Sequence, residues 1–443
     1  MNNFFPTYIS SAVIYNFHPG KQHGIFLEDI PEDVKFIIIP DAGTNDIAQC
    51  KELKERGVDV LILDHHESSE PNPYACVINN QMCDYPNKTL CGAGIVYKFC
   101  QYIDQVMGTN YSDSILDLTA LGLIGDVMDL RNFETRRLVE KGLAQITNPF
   151  FAAMVEKQSY SLGEEITPIG IAFYIVPFIN AVVRMGEMED KLSIFEALLD
   201  YKGNEMVPST KRGCKGQMET RATQACRNAT NIKSHQQKAR DEALTTIEGM
   251  IEEQGANSHQ ILAVRLDKEH SINRNLTGLC ANVIMSKYQK PTLVLSETET
   301  DGKKSWEGSA RGLSNSQFNT FKDFLTSSKL TMYEQGHEQA FGCGIQDVQF
   351  DNLMSYCDKE LAAFDFTPCF KVDFIYSAKS IKSNDILEIA NLSHLWGTGV
   401  DEPYVAIEDV LVGDNIVLMS PDKNPTMKIT LSNDITLIKF KSS

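Results

Sequence analysis

No stretch of about 18 or more consecutive apolar residues occurs in this chain, so nothing in it is expected to span a membrane. The start, Met1-Asn2-Asn3-Phe4-Phe5-Pro6, lacks a basic segment followed by an apolar run, so no signal peptide is expected. Cys-x-x-Cys pairs are missing too. Eleven cysteines are scattered, and the nearest group, Cys76, Cys83, Cys91 and Cys100, has spacings that fit neither a zinc ribbon nor a small disulfide scaffold. Reduced, mostly buried thiols in a cytoplasmic protein are the expectation. Positive charge is scarce as well: 41 Lys and Arg stand against 59 Asp and Glu, a net charge of −18. That balance argues against non-specific coating of duplex DNA, which needs a broad basic face. It leaves room for a local basic groove, because binding reads the local field. It also suits a protein that collects carboxylates around divalent cations. Internal repeats and low-complexity linkers are absent.

What is present is an ordinary globular composition. The 443 residues are 42% hydrophobic and 9% aromatic, enough for cores of normal size. Such a length suggests about two to four domains.

The first clear unit is a β-α-β pattern. Lys35-Phe36-Ile37-Ile38-Ile39-Pro40 reads as a buried strand. Thr44 or Asn45 can cap a helix that runs to about Arg56 and ends at Gly57. Val58 to Leu63 reads as a second apolar strand, and two strands joined by a helix imply a parallel α/β sheet. Each strand ends in chemistry: Asp41 follows the first, and Asp64-His65-His66 follows the second. Open α/β sheets place their sites at the carboxyl ends of strands. A third apolar stretch, Leu116 to Leu130, reads as a buried helix with Asp126 near its end.

Asp and neutral His are the ligands expected for Mn2+ or Mg2+, and a site that activates water on a phosphate needs several of them. Asp41, Asp64, His65, His66 and Asp126 supply five candidates. Alternatively, His65 and His66 merely bond to loop carbonyls.

Farther on, the charged, weakly periodic segment 221–255 reads as a solvent-exposed connecting helix. A second α/β section begins at the apolar strand Ile261-Leu262-Ala263-Val264. The runs Tyr404–Ile407, Asn415–Met419, Met427–Leu431 and Ile435–Ile438 alternate and read as a small β barrel or sandwich. Trp306 and Trp396 read as core or domain-contact residues.

Leu61-Ile62-Leu63-Asp64-His65-His66 resembles the motif that names the DHH phosphoesterases. Pro40-Asp41-Ala42-Gly43-Thr44 resembles the aspartate motif before it, and Leu121-Gly122-Leu123-Ile124-Gly125-Asp126-Val127-Met128-Asp129-Leu130 the one after. Pro177-Phe178-Ile179-Asn180-Ala181-Val182-Val183-Arg184-Met185 resembles a segment of the RecJ branch. Gly308-Ser309-Ala310-Arg311 and Gln335-Gly336-His337-Glu338-Gln339-Ala340-Phe341-Gly342 resemble motifs of its DHHA1 domain, with Gln335 in place of a glycine. The family also has an earlier Asp-x-Asp-Gly motif whose aspartates bind metal; the 40 residues before Asp41 contain none. His18-Pro19-Gly20-Lys21-Gln22-His23-Gly24 resembles the segment that follows that motif, so an incomplete two-metal site is expected.

The resemblance implies a DHH domain at 1–220, a connecting helix at 221–255, a DHHA1 domain at 256–352 and an OB-like β domain at 366–443. It implies Mn2+- or Mg2+-dependent 5′ to 3′ exonuclease action on single-stranded DNA, in repair or recombination, with single-strand-binding, replication or repair proteins as partners. Asp41, His65, His66 and Asp126 would be metal ligands, with Asp64 a ligand or an orienting group. Asn180, Arg184, Ser309, Arg311, Gly336 and His337 would contact DNA, arginine being suited to clamp phosphate. Two alternatives are a non-catalytic replisome scaffold and a DHH phosphodiesterase for short oligonucleotides.

Overall fold

The apolar runs around residues 36 and 60 become two parallel strands because each is β-branched and too short for a stable helix. The computed structural model describes residues 24–300, 302–313, 318–411, 413, 415–419, 425–431 and 435–440, so the segment His18–His23 lies outside the described residues. Strand β1 (Phe36–Pro40) leads through α1 (Ile47–Glu55) to β2 (Asp59–Asp64), and β3 (Cys76–Asn79) follows. The three strands form a parallel sheet in the order β1-β2-β3, with Pro40 paired to Leu63 and Asp64 to Asn79. Of the three, only β2 is buried from Val60 to Asp64, with Asp59 exposed. β1 is half-buried, with Phe36 55% exposed, so the expectation of a buried first strand is corrected.

Helices then take over: α2 (Gly92–Met107), α3 (Leu116–Gly125), α4 (Phe133–Ala144), α5 (Pro149–Lys157), α6 (Ser159–Leu162), α7 (Pro168–Tyr174), α8 (Val176–Met185), α9 (Met188–Leu198) and α10 (Asp200–Gly203). Their common core includes Leu63, Leu90, Leu123, Phe150, Phe151 and Ile171. Residues Pro168–Met185 form the one described stretch long and apolar enough to cross a membrane, with a mean hydropathy of 1.6. Asn180 and Arg184 interrupt it, which is why no apolar run is visible in the sequence. In the structure it is two helices meeting at Ile175, and Ile171, Ile175, Ala181 and Val182 are buried.

A short antiparallel hairpin, β4 (Met206–Pro208) and β5 (Met218–Thr220), precedes the 33-residue helix α11 (Arg221–Glu253). This helix is not solvent-exposed all round, as its charge suggests. Ala222, Ala225, Cys226 and Ala229 are buried at helical spacing, and so are Ala243, Ile247, Met250 and Ile251.

The chain divides into two compact units, residues up to 232 together with those from 374, and residues 233–373. The second unit continues with β6 (Leu262–Leu266), α12 (Thr277–Tyr288), β7 (Thr292–Thr300), β8 (Lys303–Arg311), α13 (Phe321–Ser328), β9 (Tyr333–His337), β10 (Ala340–Gln346) and α14 (Phe350–Glu360). Its mixed sheet has the order β6-β7-β8-β10-β9, with β6 parallel to β7 and the other pairs antiparallel. Trp306 lies in this core and donates its ring N–H to Asp347 at 2.7 Å.

The last segment contains β11 (Val372–Ser377), α15 (Ser383–Ala390), β12 (Tyr404–Glu408), β13 (Ile416–Met419), β14 (Thr426–Thr430) and β15 (Thr436–Lys439). Among the described residues it forms a β11-β12 pair and a β13-β14-β15 sheet over a small core of Ala378, Ile381, Leu431 and Ile435. It does not stand alone: the Leu130 amide donates to Thr398 O at 2.8 Å, and Ser393 donates to Glu165 at 3.2 Å.

Candidate metal centre

Three backbone ends bring the donors together. Asp41 leaves β1 in the left-handed region, at φ 63°, with its amide still bonded to Leu63 O at 2.9 Å. A non-glycine residue in that region is uncommon, Asp being among the more tolerant. Asp64 closes β2, and His65 and His66 follow it. Asp126 caps the C-terminus of α3, and Val127 behind it has φ 57°. A β-branched residue at positive φ is an outlier, and such strain clusters at functional sites.

His65 is the centre of the arrangement. Its Nε2 lies 3.4 Å from Asp41 Oδ1 and 3.4 Å from Asp126 Oδ2. Asp41, His65 and His66 each offer a ligand atom within 4.8 Å of the others. Donors held by one ion at about 2.0–2.3 Å lie roughly 3 Å apart, so small side-chain shifts suffice to seat a cation between these groups. The donor set is carboxylate and imidazole, which suits Mn2+ or Mg2+ better than a thiophilic ion. Buried Cys91 does not join it: burial pushes its thiol up to about 11, and the charges of Asp126 and Asp41 push the same way.

Asp64 is built differently. It is 1% exposed and accepts the Thr44 hydroxyl at 2.7 Å, the His65 amide at 2.7 Å and the His66 ring Nδ1 at 2.7 Å. Burial alone would raise its pKa, but the bonds from Thr44, His66 and the His65 amide together hold it below the usual carboxylate range. An ionised Asp64 fixes the proton of His66 on Nδ1 and leaves Nε2 as the lone-pair nitrogen, the tautomer a metal requires. Asn79, at the end of β3, donates to Thr44 Oγ1 at 3.1 Å and to His66 O at 2.9 Å.

The expected cap role of Thr44 or Asn45 is therefore corrected. The helix α1 begins after Asp46, and Thr44 serves Asp64 instead. Sequence reasoning misses this role of Thr44, and it misses Asn79. Asn79 is findable, since it ends the third parallel strand just as Asp41 and Asp64 terminate the first two. Gly92 is missed too. It opens α2, and a Cβ there would lie 2.2 Å from Asp41 Oδ1, so only glycine leaves room for that carboxylate.

His65 has its imidazole pKa raised, first by the hydrogen bond to Asp41, with the charges of Asp126, Asp41 and Asp64 adding to it and burial opposing. A proton on this ring would therefore compete with any cation seated there.

The remaining candidates fall in two places. Asn180 and Arg184 are exposed and one turn apart on α8, which starts at Val176 beside Gly125 at the end of α3. Ser309, Arg311, Gly336 and His337 belong to the second unit. Ala340 pairs with both Arg311 and His337, so these stand in one row across β8, β10 and β9. Ser309 Oγ bonds to Thr277 Oγ1 at 2.8 Å, and a Cβ at Gly278 would lie 2.5 Å from Arg311 Nη2. The serine and the arginine therefore stand at the N-terminus of α12, a place that favours anions. Gly336 has φ 130°, and a Cβ there would lie 2.8 Å from Ala340 O, so the backbone itself requires glycine.

Comparison with known proteins follows the same lines. A profile described as the DHH family, N-terminal domain, matches residues 7–123. The chain is 34% identical, over 97% of its length and 74% of the relative's, to the SPbeta prophage-derived protein YorK of Bacillus subtilis (strain 168), whose name describes a single-strand DNA-specific exonuclease. It is 26% identical, over 85% of its length, to the single-stranded-DNA-specific exonuclease RecJ of the same organism, of which it spans 45%. The crystal structure of Thermus thermophilus RecJ in complex with Mn2+ superposes with a TM-score of 0.65 at 20% identity, covering 94% of this chain and 57% of that one.

Proposed function

The chain belongs to the RecJ-like branch of the DHH family, and from that membership we propose that it hydrolyses phosphodiester bonds at the end of single-stranded DNA, using a divalent cation, with 5′ to 3′ polarity. The observation that carries this reading is the meeting of His65 Nε2 with Asp41 and Asp126, each at 3.4 Å. Residues far apart in the chain have no structural need to bring two carboxylates and an imidazole edge together at strand and helix ends. The names of the relatives support it: YorK and RecJ are named as single-strand-specific exonucleases.

In this reading Asp41, His65 and Asp126 would hold Mn2+ or Mg2+, with His66 grouped beside Asp41 and His65. The bound cation supplies a more acidic water and charge neutralisation at phosphorus. The chain's own groups do the rest. Asp64, gripped by Thr44, keeps His66 in the donor-ready tautomer. Arg184 and Arg311 contribute guanidinium groups for phosphate, and Ser309 a hydroxyl at a helix N-terminus. Asn180 and His337 contact the strand, and Gly336 holds the β9 backbone that presents His337. The eleven free thiols suit a reducing, cytoplasmic setting, and the likeness to RecJ supports a role in DNA repair or recombination.

The test is release of nucleotides from end-labelled single strands with Mn2+ present. The protein should liberate them from the 5′ end, and Asp126→Ala and His65→Ala should abolish the release. Full activity in either variant overturns the assignment.

A further inference from the structure

The hairpin β4–β5 carries a feature that the metal centre does not explain. Between Met206 and Met218 the chain has Lys211, Arg212 and Lys215 and no carboxylate, in a protein of net charge −18. All three cations are exposed, and none of them is in an ion pair among the described residues. Gly213 and Gly216, at φ 82° and 84°, make the tight reversal that gathers them at the tip.

The acids nearby are already used. Glu219, on β5, takes a two-pronged contact from Arg227 of α11, which drops its carboxyl to about 2. Glu205 accepts from Arg221 at 3.0 Å, and Glu196 is shared by Arg221 and Lys202 at 2.7 Å each. The stalk is also held firmly. Arg227 donates to Thr210 Oγ1 at 2.9 Å, Gln224 donates to Pro208 O at 2.9 Å, and the Ser209 amide bonds to Gln217 O at 2.9 Å. The arginines of the helix thus cancel the acids at the base and leave the tip uncompensated. Met206 and Met218, 57% and 52% exposed, flank the stalk with soft apolar surface suited to bases.

We propose that the Lys211–Arg212–Lys215 tip is a strand-binding finger that contacts backbone phosphates of single-stranded DNA, separate from the metal centre. This contact rests on the exonuclease reading for its partner. A rigid cationic tip on an acidic body focuses a polyanion to one place, which is how such a protein holds nucleic acid without a broad basic face.

The experiment is the salt dependence of binding to a dye-tagged single strand in EDTA, where no cleavage occurs. Each phosphate contact on a single strand adds about 0.7 to the slope of log affinity against log salt, so loss of three contacts should flatten it by about 2. The variant Lys211→Gln/Arg212→Gln/Lys215→Gln should show that loss. The control Lys141→Gln/Lys359→Gln/Lys371→Gln, with the same change in net charge, should keep the wild-type slope. A wild-type slope in the tip variant overturns the finger while leaving the exonuclease reading intact. Equal flattening in the control overturns it as well, because total charge would then be the cause. No salt-dependent binding by the wild type overturns the finger, while the exonuclease reading stands or falls on nucleotide release with Mn2+.

Discussion

Thr44 donates its hydroxyl hydrogen to Asp64 Oδ2 at 2.7 Å, on the oxygen that His66 leaves unused. The two residues close a chain that runs from Asn79 through Thr44 and Asp64 to the His66 ring. Thr44→Val keeps the shape and deletes the donor. Leaving a buried acceptor short of a partner costs about 1–3 kcal/mol. The melting temperature should fall, and Mn2+ affinity, read by electron paramagnetic resonance, should weaken about 10-fold, in line with losses seen when groups orienting a metal ligand are removed. Unchanged metal affinity would show that His66 orientation is set elsewhere.

Gly92→Ala is the sharpest steric test. Alanine suits the first turn of α2, but the new methyl would lie 2.2 Å from Asp41 Oδ1 and 2.6 Å from Asp41 Cβ, so the backbone must shift together with the carboxylate. Mn2+ binding by calorimetry should weaken at least about 10-fold and the melting temperature should fall, while circular dichroism still reports the helical fold. Wild-type affinity would mean that Asp41 is not a ligand.

The raised imidazole pKa of His65 gives a pH dependence of definite sign. Below that raised value the ring carries a proton in the metal-free protein, and a cation must expel it. Apparent Mn2+ affinity should therefore drop on acidification, by about tenfold per pH unit per proton displaced. The same protonated ring, paired with Asp41 and Asp126, stabilises the metal-free fold at low pH, and that contribution is lost as pH rises through the folded value. Asp126→Asn removes one of the charges that raise it, so the midpoint of the affinity loss should move to lower pH. A midpoint that stays put excludes His65 as the titrating ligand.

Val127 adopts φ 57° while 65% exposed, so its conformation is imposed by its neighbours and not by burial. The left-handed conformation costs about 1–2 kcal/mol for an ordinary residue and less for asparagine. Val127→Asn should raise the melting temperature by about 2–4 °C. Calorimetry showing no gain would place the strain elsewhere in the Asp126 loop.

Much of the site is legible because it obeys a local rule: Asp41, Asp64 and the two histidines sit where parallel strands end, and Asp126 where an apolar helix ends. The parallel sheet is legible for the same reason. What escapes is either ambiguous or non-local. Thr44 satisfies the pattern of a helix cap, although its partner lies on the next strand. The helix α11 has the pattern of a solvent-exposed one because its charges dominate, whereas its buried stripe is rich in alanines that add little to an apolar periodicity. The hairpin tip hides inside an acidic total charge. The docking of Thr398 on Leu130 joins positions far apart along the chain, which no local pattern records.

That last contact bears on synthesis. The turn Gly397–Val400 lies against the loop that carries Asp126: a Cβ at Gly399 would meet Asp129 Oδ1 at 2.2 Å, and one at Gly397 would meet Leu130 Cδ1 at 2.5 Å. A ribosome-bound chain makes Asp126 early and Thr398 late. Until residues 397–400 emerge, the amide of Leu130 lacks that acceptor and the aspartate loop that brace, so the proposed cation site gains its full support only after this distant turn has been made.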